Sequence, residues 1–535
     1  MAHELTDIHP SALVDPRGAV ASDPVSPARR LRDLNGRRIV LVDNGKLAFG
    51  AYRVIADALR GGLADADFAK TAINLLAAGD AEVEGLADDL VASHRPEGCI
   101  LALADAGVTA HTVLLTIALE RLGIPTVVLG TPLGSGLARA ILRERTNGVD
   151  MVTLDIGRGD SPDQIVAVLQ QKLGVIRAAL TQDAAAVSVT GAALFPGDRQ
   201  HAWAAAASDM ASFQDWAAAA GIGDGLPLVP PTQDAVSAHL ATVSADADDM
   251  LYGPALTSGR MLRVRDVAAN AVMAGSEPRA FPVVLAALRA MAQPDYRLSQ
   301  AAITTHPSGN AVILAGADPG VYGLSSGPGC LGPGHRGNAC AGRAVSLTVL
   351  HLFGARPGEA DLTTFGSSAE FTYCMAEAQT GNPWPSLATE LGDGRPGVFV
   401  LKAEAPRTIL ENLVATPEAL CAALADASVS LCSNNSFLPS DLLVLLNPEH
   451  AAAFVAAGWS RQDLATAIHH RACVARDRVT GRGVGPIRPR YMDALDWLPV
   501  TRSPADVHIV VAGAPGPQSM VALPWGYSRG QWQAL

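Results

Sequence analysis

A short apolar run from Ile39 to Val42 precedes the polar loop Asp43-Asn44-Gly45-Lys46 and then AYRVIADALRGGL, whose apolar positions recur at helical spacing until Gly61-Gly62. The pattern predicts a strand, a loop and a helix. It returns in GCILALAD with TAHTVLLTIALERLG, in IPTVVLGTP, and in DMVTLDIG with DQIVAVLQQKLGVIRAAL. Strands that alternate with helices build a parallel sheet, so residues 38–181 are expected to form a Rossmann-like or flavodoxin-like α/β domain. No G-x-G-x-x-G follows the first strand and the loop DNGKLAFG is a poor phosphate cradle, so nucleotide binding is not expected there.

Helical patterns follow in VAANAVMAG and FPVVLAALRAMA, then a strand-like AAITTHP, the strand NAVILAG, a long glycine-rich loop and the longest helix candidate, GRAVSLTVLHLFG. From about residue 395, GVFVLKAEA, LLVLLNPEHAAAFVAAGWS, DLATAIHHRACV and VHIVVAGAP alternate strand and helix once more. The expected order is a mobile arm at 1–37, rich in Pro, Asp and Arg without periodicity, then the 38–181 domain and an Ala-rich linker at 182–220. A larger mixed α/β catalytic region follows at 221–394, entered through GDGLPLVPPT, and a C-terminal α/β section occupies 395–535.

At 535 residues the chain is too long for one ordinary core, and 49% hydrophobic against 17% charged residues leaves little room for extended disorder. A net charge of −12 argues against a nucleic-acid partner, because phosphate backbones are held by a surplus of Lys and Arg. The start MAHELTDIHPSALVDPRG lacks the basic opening and apolar centre of a signal peptide, and no run of about 18 uncharged apolar residues occurs. A cytoplasmic location without a membrane partner is therefore expected, and a homo-oligomer is compatible with it. Seven cysteines, an odd number with no CxxC, fit reduced thiols. They outline no zinc site, and His469-His470 with Glu449 and His450 close no ligand set, so neither a metal nor an organic cofactor is expected. Lysine occurs only at Lys46, Lys70, Lys172 and Lys402; beside abundant arginine this reads as coding bias, and no chemistry is assigned to it.

Candidate chemistry concentrates between Thr304 and Trp384. In this reading Thr304-Thr305-His306-Pro307 ends an apolar strand and Pro307 stops its ladder, so His306 faces a loop as general acid/base with Thr305 beside it as a substrate contact. The plainer alternative is a histidine bonded to a nearby carbonyl. The loop SSGPGCLGPGHRGN carries glycine at 327, 329, 332, 334 and 337 and leads into a helix, which permits close backbone approach and an anion at the helix start. Cys330 within it is either a nucleophile, its thiol pKa depressed by the helix end and Arg336, or an inert buried thiol. His335 and Arg336 suit a carboxylate or phosphate, and Asn338 orients a substrate carbonyl or caps the helix. If FTYCMAEA is helical, Glu370, Cys374 and Glu377 fall at i, i+4 and i+7, and a catalytic Glu377 carboxylate lies beside the Cys374 thiol. The His306 strand end and the glycine loop are expected to form opposite walls of one pocket.

Over its N-terminal domain the chain resembles the UGSC-type family, related to the B component of glycine reductase, in a DN-x-K loop at Asp43 to Lys46, a strand ending in a turn after Leu103, and GIPTVV at Gly123 to Val128. In that family the turn carries selenocysteine or cysteine, then Gly-Ser-Cys. Here it reads Asp105-Ala106-Gly107-Val108-Thr109, so the resemblance implies a domain without its redox pair, Ala106 and Thr109 standing where selenium or sulfur should be. Residues 221–535 resemble the large partner protein of such domains through GDGLPLVPPT, AANAVMAG, TTHP, GPGCLGPGHRGNACAGRA, YCMAEAQTGNPW and VVAGAPGPQSM. The family pattern is more acidic after Glu377, where Ala378-Gln379 follow here, which weakens a paired-carboxylate role. With the redox turn gone, the expected activity is that of a metal-free lyase- or hydrolase-like enzyme. It breaks or forms a carbon–heteroatom bond in a small polar or anionic substrate, through His306 and a nucleophilic Cys330. A thiol-dependent reductase using Cys330 and Cys374, and a non-catalytic binding or scaffold protein, are the alternatives.

Overall fold

The computed structural model describes residues 13–20, 24–75, 78–105, 107–182, 209–411, 416–431, 433–479, 490–526 and 528–535. Five strands, β1 (Arg38–Asp43), β2 (Asp67–Ala72), β3 (Gly98–Ala104), β4 (Thr126–Gly130) and β5 (Met151–Thr153), pair in parallel in the order β2-β1-β3-β4-β5. That is a doubly wound order with its switch point between β1 and β3. The crossover helices are α1 (Val54–Gly62), α2 (Asp80–His94), α3 (Thr109–Arg121) and α4 (Pro132–Arg145), and α5 (Pro162–Thr181) follows β5. α1 and α5 cover one face, Ile55, Leu59, Ile165 and Leu169 packing on Ile39 and Leu41. α2 and α3 cover the other, Val83, Leu90 and Leu115 packing on Val40 and Val42. Both faces being covered, β1 reads as an unbroken apolar run. α5 starts where the sequence says it should: Pro162 follows Ser161, whose side chain accepts the Gln164 N–H while Gln164 reaches back to Ser161.

The N-terminal segment differs from the expected mobile arm, since residues 13–20 and 24–37 form an ordered strap. Ala19 and Val20 pair with Met261 and Arg260, and Asn270 Nδ2 donates to the Pro16 carbonyl at 2.9 Å. Arg30 and Glu120 form an ion pair at 2.7 Å with side chains only 5% and 0% exposed. Prolines keep this stretch from coiling, but its polar groups find individual partners on both neighbouring regions, so an aperiodic sequence is held in place. Residues 1–12 and 21–23 of that arm, 183–208 of the expected linker, Ala106 and Cys432 lie outside the described residues. The rest of the linker contributes a helix, Met210–Ala219, with Phe213 wholly buried.

Two four-stranded sheets organise the remainder. The first joins β6 (Gly309–Ala315), β7 (Cys374–Ala376) and β8 (Gly397–Ala403) in the order β7-β6-β8, with the last strand of the chain, Gln531–Ala534, beyond β8. One face, through Val312, Leu314, Val398 and Val400, packs under α6 (Val264–Met273), α7 (Phe281–Met291) and α8 (Arg336–Phe353). The other face, through Ile313, Met375, Phe399 and Leu401, meets Leu443, Leu445, Val510 and Ala522 of the second sheet. That sheet takes the order Arg407–Leu410, Gln518–Ala522, Leu442–Leu446, Val507–Val511. Its far face is covered by the helices Pro417–Ala427, Pro448–Ala456 and Arg461–Arg471 through Leu424, Phe454, Leu464 and Ile468. The stack is thus helix, sheet, sheet, helix. The boundary expected at 394/395 falls inside the first sheet, because β8 is hydrogen-bonded to β6 along its whole length.

Candidate active site

β8 is buried at all seven positions, GVFVLKA, and alternation sends Val398, Val400 and Lys402 to the helix-covered face. The core ends at Lys402, where a cavity of about 1200 Å³ opens. Lys402 is only 7% exposed and lines this cavity, and among the described residues its amine makes no hydrogen bond or close ion pair. Directly opposite it in the β6–β8 ladder stands Asn310, whose side-chain carbonyl accepts the Tyr296 hydroxyl at 2.7 Å, so its NH2 group is left to the cavity it lines. Two acids complete the cluster. Glu370 accepts the Ser308 N–H at 3.1 Å and the Ser367 N–H at 2.9 Å, and Asp361 accepts the Thr363 N–H at 2.9 Å.

Gly309 sets this geometry. A Cβ there would lie 2.0 Å from the Ala369 carbonyl oxygen, so only glycine lets the 368–370 turn close on β6 and bring Glu370 to Ser308. Burial holds the Lys402 amine down to about 8, against the opposing pull of Glu370 and Asp361. Burial likewise lifts the Asp361 carboxyl to about 6; the Thr363 N–H and Lys402 oppose the rise, and the neighbouring Glu370 adds to it. An amine and a carboxyl with pKa values displaced toward each other share one cavity, the condition under which protons are exchanged near neutrality. The far wall comes from 221–228. His351, driven to about 4 by burial and therefore neutral, accepts the Gly223 N–H at 2.9 Å and meets Asn270 at 2.6 Å, while Arg343 pairs with Asp224 at 2.7 Å.

The residues expected to form the site scatter around this cavity. AAITTHP is not a strand: Leu298–Ala302 is a short helix, and His306 lies in a bend before β6. Thr304 and Ser308 on either side line the cavity, but the His306 imidazole turns away. Its Nδ1 takes the Asn434 amide at 2.6 Å, which leaves the proton on Nε2 to donate to Glu404 at 2.9 Å. Thr305 contributes its carbonyl, which accepts from Thr364. The glycine loop packs at the opposite end of β6: the Ser325 carbonyl accepts from Ala376, the partner of Leu314. Gly309 and Leu314 are five residues apart, about 17 Å along a strand, so the structure does not bring His306 and this loop together.

The loop itself is a packing device. Asn338 Nδ2 donates to the Ser325 and Cys330 carbonyls, and Gly337 sits where a Cβ would be 1.8 Å from the Gly323 oxygen. Asn338 therefore braces the loop, since the cap position of α8 belongs to His335. The His335 Nε2 bonds the Pro328 carbonyl, and exposed Arg336 reaches the Gly275 carbonyl. Burial raises the Cys330 thiol, the reverse of the expected activation, and Cys374 is pushed up to about 12 by burial. FTYCMAEA is no helix but a turn followed by β7, so the shared face of Glu370, Cys374 and Glu377 does not exist. Glu377 is buried and structural: it accepts from Ser386 at 2.6 Å and Leu387 at 3.0 Å and pairs with Arg461 at 3.1 Å.

At the switch point of the N-terminal sheet, Asp105 accepts the Thr131 hydroxyl at 3.0 Å and pairs with Arg158 at 3.1 Å, and the Thr109 hydroxyl donates to the Asp105 carbonyl at 2.9 Å. Thr109, at the start of α3, is thus held to the turn by a hydroxyl where the resembling family places a thiol. Residues 12–140 match the sequence model of the UGSC family, and the N-terminal region is a UGSC-type domain. No curated protein and no solved structure matches the chain. Among the described residues no helix is long and apolar enough to cross a membrane, and no group of three metal-ligating side chains occurs.

The signal that was passed over is Lys402. A lysine inside an apolar strand, in a chain with only four, costs several kcal/mol to bury unless it is paired or sheds its proton.

Proposed function

We propose that the protein is an enzyme that breaks or forms a carbon–heteroatom bond in a small polar substrate, with Lys402 as the group that accepts and returns the proton and Asp361 as its acidic counterpart. The reading rests on one observation: a buried amine without a close partner, aimed into a large cavity beside two carboxylates. Free amine is the working form. At pH 7 about one molecule in ten carries it when the amine titrates near 8, against roughly one in several thousand for an ordinary lysine. Asn310 holds a substrate oxygen, and His306, fixed by Asn434 and Glu404, positions the 304–308 wall.

The test is turnover of a panel of small hydroxylated and aminated compounds, followed as release of ammonia or as absorbance of a new carbon–carbon double bond. The rate is expected to be greatest between about pH 6 and 8, where a free amine and a protonated Asp361 carboxyl occur together most often, and to fall by about 10²-fold or more in Lys402→Met. Turnover that survives this substitution would remove Lys402 from the chemistry.

A further inference from the structure

The cavity around Lys402 says more than that it holds a base. The amine has no close ion-pair partner among the described residues, the nearest charges are the carboxylates of Glu370 and Asp361, and the lining nearby is rich in hydroxyls, among them Thr304, Thr363, Thr364 and Ser367. Two carboxylates at the amine repel a second anion, whereas hydroxyl groups and the Asn310 amide offer donors and acceptors to an uncharged, oxygen-rich molecule. A buried lysine that is free of ion pairs and reaches a cavity is equipped to attack a carbonyl as well as to move a proton.

We propose that Lys402 Nζ forms an imine with a small, uncharged, hydroxylated aldehyde or ketone, a substrate class that deepens the reading above and rests on the same cavity. The nitrogen lone pair bonds to the carbonyl carbon while the C=O π pair moves to oxygen. A proton passes from nitrogen to that oxygen, giving a carbinolamine. The Asp361 carboxyl then protonates the hydroxyl, the C–O bond breaks, water leaves, and the nitrogen lone pair closes the C=N+ bond. One amine, one carbonyl compound and one proton become one iminium ion and one water. Its positive charge stands where the ammonium stood, between Asp361 and Glu370, so the cavity that stabilises the protonated amine also stabilises the product.

The experiment treats the full chain with glycolaldehyde and sodium cyanoborohydride near pH 7.5, which reduces any imine to a stable secondary amine, and locates the added mass by peptide mass spectrometry. Pyruvate serves as the anionic comparison, and competitive acetylation with trace acetic anhydride across pH reports the titration of each lysine. Lys402 is expected to be modified by glycolaldehyde at least ~10-fold faster than Lys46, Lys70 and Lys172, and faster than by pyruvate, with no adduct at that position in Lys402→Met. If the label spreads over the other lysines and spares Lys402, the imine is refuted. Should Lys402 refuse both carbonyls yet titrate near 8, the imine falls and the proton-transfer reading stands. An ordinary titration without labelling defeats both, and faster labelling by pyruvate overturns the uncharged substrate class.

Discussion

Lys402 is a stability liability that the protein keeps. Below pH 8 both folded and unfolded chains hold its proton, and the folded state bears the full cost of a charged amine that burial disfavours. The gap between an ordinary 10.5 and about 8 corresponds to about 3 kcal/mol, with the attraction of Glu370 and Asp361 already included. Between pH 8 and 10.5 the unfolded chain binds a proton that the folded one has shed, so stability gains about 1.4 kcal/mol per pH unit from this residue alone. Lys402→Met keeps an unbranched side chain of similar length and removes the charge. The variant is therefore expected to be more stable than the parent by about 3 kcal/mol at pH 7, with the advantage shrinking to nothing as pH approaches 10.5. Urea unfolding of both proteins, followed by tryptophan fluorescence, measures it; Trp525 reports locally, since its indole donates to Thr304 on the cavity wall at 2.8 Å. Titrating groups that do not interact with Lys402 cancel in the difference, and Asp361, whose rise the amine opposes, contributes at lower pH. A variant less stable at pH 7, or a difference that does not change with pH, would refute the argument that an unpaired buried charge sits at this position.

Three further outcomes are expected. Glu377→Ala strips the buried carboxylate from Ser386, Leu387 and Arg461 and should cost about 3 kcal/mol in urea unfolding; a negligible change would show that the cluster is not structural. Iodoacetamide on the native protein should reach the partly exposed Cys340 and Cys473 at least ~10-fold faster than buried Cys330 and Cys374, and rapid labelling of Cys330 would restore it as a nucleophile. Gly309→Ala, which drives a methyl group into the Ala369 carbonyl, should push the 368–370 turn and Glu370 away from Lys402 and lower the amine's titration further, as read by competitive acetylation; an unmoved titration would show that Glu370 does not act on the amine.

How far the sequence could be read depends on what each element contacts. β1, β3, β4 and β5 were legible because strands covered on both faces are continuous apolar runs, as were helices α6, α7 and α8. β2 was not, because DFAKTA is a half-exposed edge strand with little apolar content. The residues singled out in the sequence do not come together in space for a related reason. Glycine, histidine and cysteine mark both sites and tight packing, and here Gly337, Asn338 and Cys330 serve packing, as Gly323 and Ser325 beside them show. The Lys402 site is assembled from β6, β8 and the 361–370 turn, whose juxtaposition no local pattern announces. A single lysine in a buried strand was the one trace it left.

The strand that carries Lys402 has β6 on one side and Gln531–Ala534 on the other. During synthesis on the ribosome β8 must wait, its outer edge unpaired, while the whole second sheet is made, because the segment that covers it is translated after all four of that sheet's strands. A nascent chain halted before residue 531 therefore leaves the edge of β8 at residues 397–400 unpaired. The half of β8 remote from the amine thus gains its second neighbour only after every other strand of both sheets has emerged.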